Sequence, residues 1–308
     1  MNTPRTIAVL MGGTSNEREV SLVSGQSVIE ALSARGFDAR PIDVSDDIAA
    51  LVRALTPAPD VVFNALHGRY GEDGCIQGLL ELMGQRYTHS GVMASALAMD
   101  KPMAKRLFAK AGIPCTEHVI AHRDEILAGD VMPRPYVIKP LNEGSSVGVR
   151  IVREKADGPA LGNDVWPFGE QVMVERYIPG REITVAVMGD RPLAVTELRP
   201  KQGFYDYDAK YTDGMTDHLI PAPLPEAQYD AALKHALTAH NVLGCRGVTR
   251  ADFRYDDTSG EPGSLCLLEI NTQPGLTPLS LVPEQAAHVG IDFGELVAWM
   301  VENASCDS

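Results

Sequence analysis

The chain has 308 residues, which is enough for two or three domains that each bury a core of their own. Hydrophobic residues make up 44% of it and charged residues 22%, the balance of an ordinary soluble globular protein. Lysine and arginine number 27 against 41 aspartates and glutamates, and the resulting net charge of −14 disfavours nucleic acid or an anionic membrane surface as the main partner.

Strands alternate with helices over the first part of the chain. Short apolar runs predict strands, namely TIAVLM (6–11), FDARPIDV (37–44) and DVVFNAL (60–66). Helical spacing of apolar residues predicts helices, namely SLVSGQSVIEALSARG (21–36), DDIAALVRAL (46–55) and CIQGLLELMG (75–84). This alternation predicts a parallel sheet, and we place the α/β domain that contains it at residues 1–95.

The rest of the chain reads as two mixed modules of α+β type. A helix basic on one face is predicted at 101–112, followed by strands with period-two patterning that predict antiparallel hairpins, and we place the two modules at 96–180 and 181–308. Residues 201–225 show no clean period and many turn formers, which predicts a lid or a disordered segment. A helix (226–243), two strands (248–255 and 264–271) and two short helices close the chain.

Cysteine usage and hydropathy indicate the compartment. The five cysteines are scattered and form no CxxC pair, which fits reduced thiols rather than disulfides or a zinc site. The N-terminal apolar stretch is too short for a signal peptide, and no run of about 18 apolar residues occurs. We therefore expect a cytoplasmic protein that does not span a membrane.

The segment LCLLEINTQPGLT raises the question of a metal site. Residues two apart in a strand share a face, so Glu269 and Asn271 point the same way. The segment VTRADFRYD predicts a neighbouring strand, with Arg250 and Asp252 at the same spacing. If the strands pair, Asp252, Glu269 and Asn271 converge as three oxygen ligands, which suits Mg²⁺ shared with nucleotide phosphates. The alternative is a solvated sheet face with outward polar residues.

A second candidate is YVIKPLNEGSSVGV, where Lys139 ends an apolar strand before a glycine–serine turn. Backbone N–H groups in such a turn can bind an anion, and the lysine adds a charge suited to phosphate. Since no GxxxxGK[ST] occurs, ATP would bind without a Walker-type loop. Further on, Glu175 and Glu182 flank a turn and could accept from an adenine amino group and ribose hydroxyls. Plain hairpins with solvated charges are the alternative for both segments.

Two loops of the first domain could hold a small substrate. His67 follows a buried strand at the carboxyl edge, where ligands of α/β sheets bind, although a buried and satisfied histidine explains it equally well. Gly12-Gly13 begins like a dinucleotide fingerprint, but the absence of GxGxxG disfavours an NAD site. Glu17 could bind a substrate ammonium or serve only as an N-terminal helix charge.

Taken together, these segments resemble a known family. GGTSNEREVSL, ALHGRYGEDG, SGVMASALAMDK, VIKPLNEGSSVG, FYDYDAKY, RADF and LLEINTQPGLT occur in this order. Their order and wording resemble the D-alanine–D-alanine ligases of the ATP-grasp superfamily, over nearly the whole chain.

The resemblance implies a three-domain ATP-grasp fold. It has a Rossmann-like parallel-sheet domain at 1–95, a central ATP-grasp domain at 96–180, and a C-terminal ATP-grasp domain at 181–308 with the lid. ATP and D-alanine would be the small-molecule substrates, with two Mg²⁺ or Mn²⁺ ions as cofactors. The product would be D-alanyl-D-alanine for peptidoglycan synthesis, formed through an acyl phosphate in a cytoplasmic homodimer.

The resemblance also assigns roles to matching positions. Contacts to ATP would come from Lys101, Lys139, Glu175, Ile178 and Glu182, and metal ligands would be Asp252, Glu269 and Asn271. Lys210 would neutralise the transferring phosphoryl group, and Arg250 with the backbone N–H of Gly275 would form an oxyanion site. The first D-alanine would be oriented by Glu17 and His67, and the second would be held by Ser280 and Leu281. A hydrogen-bonded set would close the lid and keep water from the acyl phosphate, consisting of Glu17, Ser145 and Tyr211.

Three features bear on the alternatives. Tyr211 lies in an intact lid motif, which favours an amide over a D-lactate ester product. Leu276 stands where methionine is commoner in the family, and because both side chains are apolar and similar in size we expect little consequence. The stretch 156–169 is shorter than is usual in the family. The competing hypotheses are another ATP-grasp ligase acting on a different amino or hydroxy acid, and a catalytically silent nucleotide-binding protein. The second is disfavoured because the chemical set is complete.

Overall fold

The computed structural model describes residues 5–142, 148–153, 169–201, 212 and 214–307. Within these ranges the chain forms three β-sheets, one of three strands, one of four and one of five. No helix in the described part of the chain has both the length and the apolar character that a bilayer crossing requires.

The first sheet is parallel, as predicted. It contains β1 (Thr6–Gly12), β2 (Asp38–Val44) and β3 (Val61–Asn64) in the order β2-β1-β3. Its helices are α1 (Arg18–Ala34), α2 (Ile48–Ala54) and α3 (Cys75–Leu82). Helix α1 begins earlier than the apolar spacing predicted, because its first turn is polar and the apolar positions start only at Val20.

Two helices lead out of the first sheet. Helix α4 (Val92–Met99) was not predicted, since it is rich in alanine and methionine and has no clear polar face. Helix α5 (Lys101–Lys110) begins behind Asp100, whose Oδ1 accepts from the backbone N of Met103 at 3.0 Å. This N-cap satisfies an otherwise unpaired donor and fixes the point where α5 begins, so Lys101 becomes its first residue.

The four-stranded sheet is antiparallel, in agreement with the predicted hairpins. Its order is β4-β7-β5-β6, formed by β4 (His118–His122), β5 (Tyr136–Pro140), β6 (Arg150–Val152) and β7 (Gln171–Arg176). Strand β4 and helix α6 (Arg123–Ala128) were not predicted from the sequence. The face of this sheet away from solvent packs Tyr136, Ile138, Val172 and Val174 against α6.

The five-stranded sheet is also antiparallel, in the order β10-β9-β8-β11-β12. It contains β8 (Arg181–Met188), β9 (Arg191–Pro200), β10 (Thr216–Leu219), β11 (Val248–Asp256) and β12 (Ser264–Asn271). Three helices follow or interrupt these strands, α7 (Glu226–Val242), α8 (Leu281–His288) and α9 (Phe293–Glu302). Helix α7 covers one face with three buried alanines, Ala232, Ala236 and Ala239, which let it approach the strands closely.

The range 201–225 was predicted to be a lid or a disordered segment. Disorder is wrong for its later part, which contains β10 paired with the end of β9, while residues 202–211 and 213 lie outside the described residues. Thr216–Leu219 has no alternating apolar pattern of its own, so only pairing with β9 makes it a strand. The three sheets follow one another along the chain, while the domain boundaries at 95/96 and 180/181 stay a prediction.

Candidate active site

A cavity of about 540 Å³ lies between the four-stranded and the five-stranded sheets. Its walls combine apolar side chains with lysines, arginines and carboxylates. Seven residues that the sequence analysis assigned to nucleotide or metal line it, Lys101, Lys139, Glu175, Ile178, Glu182, Asp252 and Glu269. Residues spread over most of the chain therefore share one space that is large enough for a small-molecule ligand.

A buried charge cluster forms the floor of this cavity on the side of the four-stranded sheet. Glu175 makes an ion pair with Lys139 through one oxygen. Its other oxygen lies 3.0 Å from Lys105 Nζ and accepts from Thr116 Oγ1 at 2.7 Å. All four side chains are buried. Two lysines share one carboxylate, so the cluster carries net positive charge, which suits an anionic ligand.

The cluster also fixes protonation states. Burial opposes the charged form of Glu175, but Lys139 and Lys105 outweigh it and lower the pKa of that carboxyl to about 2. Burial likewise opposes the charged form of Lys139, and Glu175 and Glu269 more than compensate, which raises the pKa of the ammonium. Lys105 and Thr116 were missed by the sequence analysis. The only sign of Lys105 was the basic face of the predicted helix at 101–112, four residues after Lys101.

The predicted pairing of the strands that carry the metal candidates is confirmed. In the register of β11 and β12, Arg250 lies opposite Asn271 and Asp252 lies opposite Glu269. The guanidinium of Arg250 donates to both oxygens of Asp252 at 2.8 Å. Asn271 Nδ2 donates to Asp252 Oδ2 at 2.9 Å, and Thr184 Oγ1 donates to Oδ1 at 2.7 Å.

This face fits a hard cation. Two carboxylates and an amide side chain on adjoining strands supply the oxygen donors that Mg²⁺ prefers. Among the described residues no group of three or more His, Cys, Asp or Glu side chains could hold a metal. The third ligand that the sequence analysis assigned is the amide oxygen of Asn271, and this role stays a prediction. Glu269 Oε2 also lies 3.6 Å from Lys101 Nζ, which places the first turn of α5 beside the same face.

His67 and Glu17 lie at the carboxyl edge of the parallel sheet. Both side chains are buried. His67 Nε2 is 3.2 Å from Ser24 Oγ, and its carbonyl accepts from Ser15 Oγ at 2.7 Å. Burial lowers the pKa of His67 to about 4, a hydrogen bond with the backbone of Gln273 works in the other direction, and Arg250 lowers it further. The imidazole is therefore neutral near pH 7.

Two amides connect this edge to the loop after β12. Asn64 Nδ2 donates to Gln273 Oε1 at 2.6 Å, and Gln273 Nε2 donates to the carbonyl of Leu66. The backbone N of Leu276 donates to Ser24 Oγ at 3.3 Å. These buried amides join segments about two hundred positions apart. The sequence analysis missed them because a single Asn or Gln carries no local signal of a distant partner.

The same loop brings together Gly275, Ser280 and Leu281. A Cβ added to Gly275 would lie 2.9 Å from Ser280 Oγ, so a side chain at this position would crowd the serine. Ser280 precedes α8 and its Oγ accepts from the backbone N of Thr277 at 2.9 Å. Leu281 is the first residue of α8 and is buried. Free N–H groups at such a helix start can receive a carboxylate.

The predicted lid residues cannot be placed against this site. Ser145, Lys210 and Tyr211 lie outside the described residues, so their roles stay predictions. A further acid was missed altogether. Burial and the neighbouring charge of Glu17 raise the pKa of Glu72 to about 8, while Lys101 lowers it and Glu269 raises it further.

A parallel-sheet domain followed by two antiparallel modules, with buried lysines and an acid–amide face around one cavity, is the architecture of an ATP-grasp ligase. The family model described as the C-terminus of D-Ala D-Ala ligase matches residues 107–302, and the N-terminus model matches residues 6–53 and 49–90. The chain therefore belongs to the D-alanine–D-alanine ligase family.

Individual relatives agree with the family models. The chain is 58% identical over 302 residues to a D-alanine–D-alanine ligase of Acidiphilium cryptum, covering 98% of this chain and 99% of the relative. It is 55% identical to that of Granulibacter bethesdensis, with 98% of both chains covered. The Bacillus anthracis D-alanine–D-alanine ligase complexed with ATP superposes with a TM-score of 0.81 at 30% identity, covering 98% and 97% of the two chains. VanG D-Ala:D-Ser ligase of Enterococcus faecalis gives 0.80 at 29%, covering 97% and 99%.

Proposed function

We propose that this chain uses ATP to join two D-alanines into D-alanyl-D-alanine, with ADP and phosphate as the other products, for peptidoglycan precursor synthesis. The observation that carries the proposal is the pairing of β11 with β12, which sets Asp252 opposite Glu269 in the wall of the cavity that the buried Lys139 also lines. A nucleoside triphosphate with its metal ions requires oxygen donors for the metal and a cationic side chain, such as Lys139, for the phosphates.

The nucleotide would occupy the cavity between the two antiparallel sheets. Lys101 and Lys139 would contact the phosphates, and the turn around Ile178 that connects β7 to β8 would meet the base. Glu175 would face the adenine amino group and Glu182 the ribose hydroxyls. The buried position of Lys139 supports this assignment, because a lysine in a water-poor site attracts phosphate more strongly than an exposed one.

Asp252, Glu269 and Asn271 would hold the two divalent ions. Bound there, Mg²⁺ or Mn²⁺ would neutralise charge on the phosphates of the nucleotide. Arg250 holds both oxygens of Asp252 and so keeps this acid on the cavity face. With the backbone N–H of Gly275, the same arginine would stabilise the negative charge that develops on the acyl carbon's oxygen.

The two D-alanines would bind between the parallel sheet and the loop after β12. Glu17 and the neutral His67 would orient the first, whose carboxylate attacks the γ-phosphate to form the acyl phosphate. The carboxylate of the second would meet Ser280 and Leu281 at the start of α8, and its amine would attack the acyl carbon. Glu17, Ser145 and Tyr211 would close the lid, and Lys210 would stabilise the transferring phosphoryl group.

The wider setting belongs to the same proposal. We expect a homodimer that works in the cytoplasm, and the net charge of −14 supports small molecules rather than nucleic acid as its partners. Domains at 1–95, 96–180 and 181–308 are supported by the three consecutive sheets. Size-exclusion chromatography with light scattering tests the dimer directly, and a mass of one chain at micromolar concentration would reject it.

Phosphate release in the presence of ATP and magnesium tests the activity. D-Alanine should stimulate release and yield D-alanyl-D-alanine, identified by mass spectrometry, whereas L-alanine should not. D-Serine and D-lactate offered beside D-alanine test the alternative acceptors, since one structural relative is a D-Ala:D-Ser ligase. Release that is indifferent to D-alanine rejects the proposal.

The metal assignment has its own test. Glu269→Ala and Asn271→Ala should each lower kcat at least about a hundredfold, because charge on the phosphates is no longer neutralised. Glu302→Ala is the matched control, an exposed acid at the end of α9. Near-normal turnover in either site variant would show that the ions bind elsewhere.

A further inference from the structure

Arg254 lies in the wall of the same cavity, and the family resemblance gives it no role. It follows Arg250 and Asp252 at two-residue spacing on β11, so the three side chains share one face of the strand, and Asp252 lines the cavity together with Arg254. The first two are accounted for by the metal and oxyanion assignments. The third reaches away from them, toward the turn that connects β7 to β8.

The guanidinium of Arg254 binds three acceptors at once. Its Nε donates to the carbonyl of Ile178 at 3.1 Å, and its Nη2 donates to the carbonyl of Gly180 at 2.7 Å. Its Nη1 lies 3.4 Å from Glu182 Oε2. The side chains of Arg254 and Glu182 are each only 18% exposed, so the contacts are partly shielded from water. A planar fork with several N–H donors can make all three contacts, which a lysine cannot.

The turn is pressed against β11 at the same place. Gly180 has φ +87°, and a Cβ there would come within 3.0 Å of Asp256 Cα, besides meeting the carbonyl of Tyr255. The backbone of the turn therefore touches the strand directly, and Arg254 holds its carbonyls on the cavity side. In addition, Glu182 and Arg254 lie opposite each other in the β8–β11 register. Both the turn and the acid are thus fixed by one residue of β11.

We propose that Arg254 is a positioning residue for the nucleotide, which holds the Ile178–Gly180 turn and the Glu182 carboxylate where the base and ribose bind. The inference rests on the proposed use of ATP and extends it to a residue to which the family resemblance assigned no role. Without the guanidinium, two carbonyls and a carboxylate at the cavity wall lose this donor and are held less firmly in place. The base and ribose then meet a less well positioned wall, while the phosphate and D-alanine contacts stay in place.

The test is Arg254→Met, which keeps an unbranched stem and removes every donor. Calorimetry without D-alanine should give an ATP Kd raised about tenfold, and steady-state kinetics should give KM for ATP raised similarly with kcat within about threefold and KM for D-alanine unchanged. The preference of the parent for ATP over 2′-deoxy-ATP should shrink, since that preference reports the Glu182–ribose contact. A merely structural role would lower stability and kcat without moving this preference.

Two variants make the outcome decisive. Arg40→Met removes an exposed arginine that pairs with Asp38 on β2, so it controls for the loss of one positive charge. The double variant of Arg254→Met with Glu182→Gln should bind ATP about as weakly as the worse single variant, because the two residues act as one unit. The inference is overturned if the fold-changes in ATP Kd of the two single variants multiply in the double variant. It is also overturned if Arg254→Met keeps the parent's preference for ATP over 2′-deoxy-ATP. Full rescue by Arg254→Lys also overturns it, since a point charge cannot replace the fork.

ATP binding by the parent chain and by Arg254→Met separates the proposed function from the positioning role of Arg254. If the parent chain shows no magnesium-dependent ATP binding, the proposed function itself is wrong. If the parent binds ATP and Arg254→Met binds it equally well, only the positioning role is wrong.

Discussion

Lys105 shows how much of the site depends on a residue that makes no predicted ligand contact. Its ammonium is buried beside Glu175, 3.0 Å from one oxygen, and it also reaches Thr116. Breaking a buried ion pair by removing one partner is strongly destabilising, because the other charge stays buried without compensation. Without Lys105, Glu175 would still be paired with Lys139, so the loss of stability should fall at the lower end of the range of about 3–5 kcal/mol for broken buried ion pairs.

We expect Lys105→Met to lower the free energy of unfolding by about 3 kcal/mol. Urea unfolding at pH 7.5 measures it, with Lys110→Met as the control on the exposed end of the same helix. The double variant with Glu175→Gln should lose less stability than the two single variants added together, because each single variant already removes the Lys105–Glu175 interaction and the sum counts it twice. Strict additivity would show that the ion pair contributes nothing.

Helix α1 meets the parallel sheet through a glycine. A Cβ added to Gly25 would lie 2.6 Å from Met11 Cβ on β1, closer than such atoms approach in proteins. Gly78 in α3 is the opposite case, since a Cβ there would have nothing within 4 Å. The two positions separate helix propensity from packing, because alanine is favoured over glycine by about 1 kcal/mol in a helix interior.

We expect Gly25→Ala and Gly78→Ala to change stability in opposite directions. Overpacking costs about 1–3 kcal/mol and outweighs the propensity gain at Gly25, so that variant should be destabilised by about 1–2 kcal/mol. Gly78→Ala should be stabilised by up to about 1 kcal/mol. Urea midpoints measured side by side decide it. Stabilisation of both variants would mean that α1 can move off the sheet without cost.

Three buried histidines affect the stability of the molecule as a whole. Burial lowers the pKa of His67 to about 4, of His89 to about 3 and of His240 to about 4. In the unfolded chain the histidine pKa is about 6.5, so on acidification the unfolded chain binds protons at a higher pH than the folded chain does. The free energy of unfolding therefore falls as the pH drops below that value. Glu72 acts in the opposite sense, because its pKa of about 8 means that stability contributed by its protonated form is lost between pH 4.5 and 8.

Comparing the parent with a variant that lacks one buried histidine isolates the contribution of that histidine, because Glu72 contributes equally to both proteins. His89 has φ +70°, which asparagine also tolerates, so His89→Asn removes the titration without changing the backbone. Between pH 8 and pH 5 the parent should lose about 2 kcal/mol more stability than the variant, the value for a histidine that is neutral when folded and charged when unfolded. Urea unfolding at both pH values measures the difference. Equal losses would mean that His89 is protonated in the folded chain.

The sequence by itself determined most of the local structure and the chemistry. Periodicity predicted the parallel first sheet, the antiparallel hairpins and the strands that carry Asp252 and Glu269, because hydrophobic spacing is a property of neighbouring residues. The ordered motifs were sufficient to identify the family, which the family models then confirmed. Strand β4 and helix α4 were not predicted, because β4 has only five residues with three consecutive apolar ones and no alternation, and α4 has no clear polar face.

Only the tertiary structure decided which side chains hold the residues of the candidate site in place. Lys105 against Glu175, Gln273 against Asn64 and Arg254 against the Ile178–Gly180 turn are contacts between distant segments. None follows from a periodic pattern, since a buried polar residue is satisfied by whatever partner the fold brings to it. Strand β10 became regular for the same reason, because its hydrogen bonds are supplied by β9. Local patterns fix elements, and the partners of buried polar groups are fixed only when those elements pack.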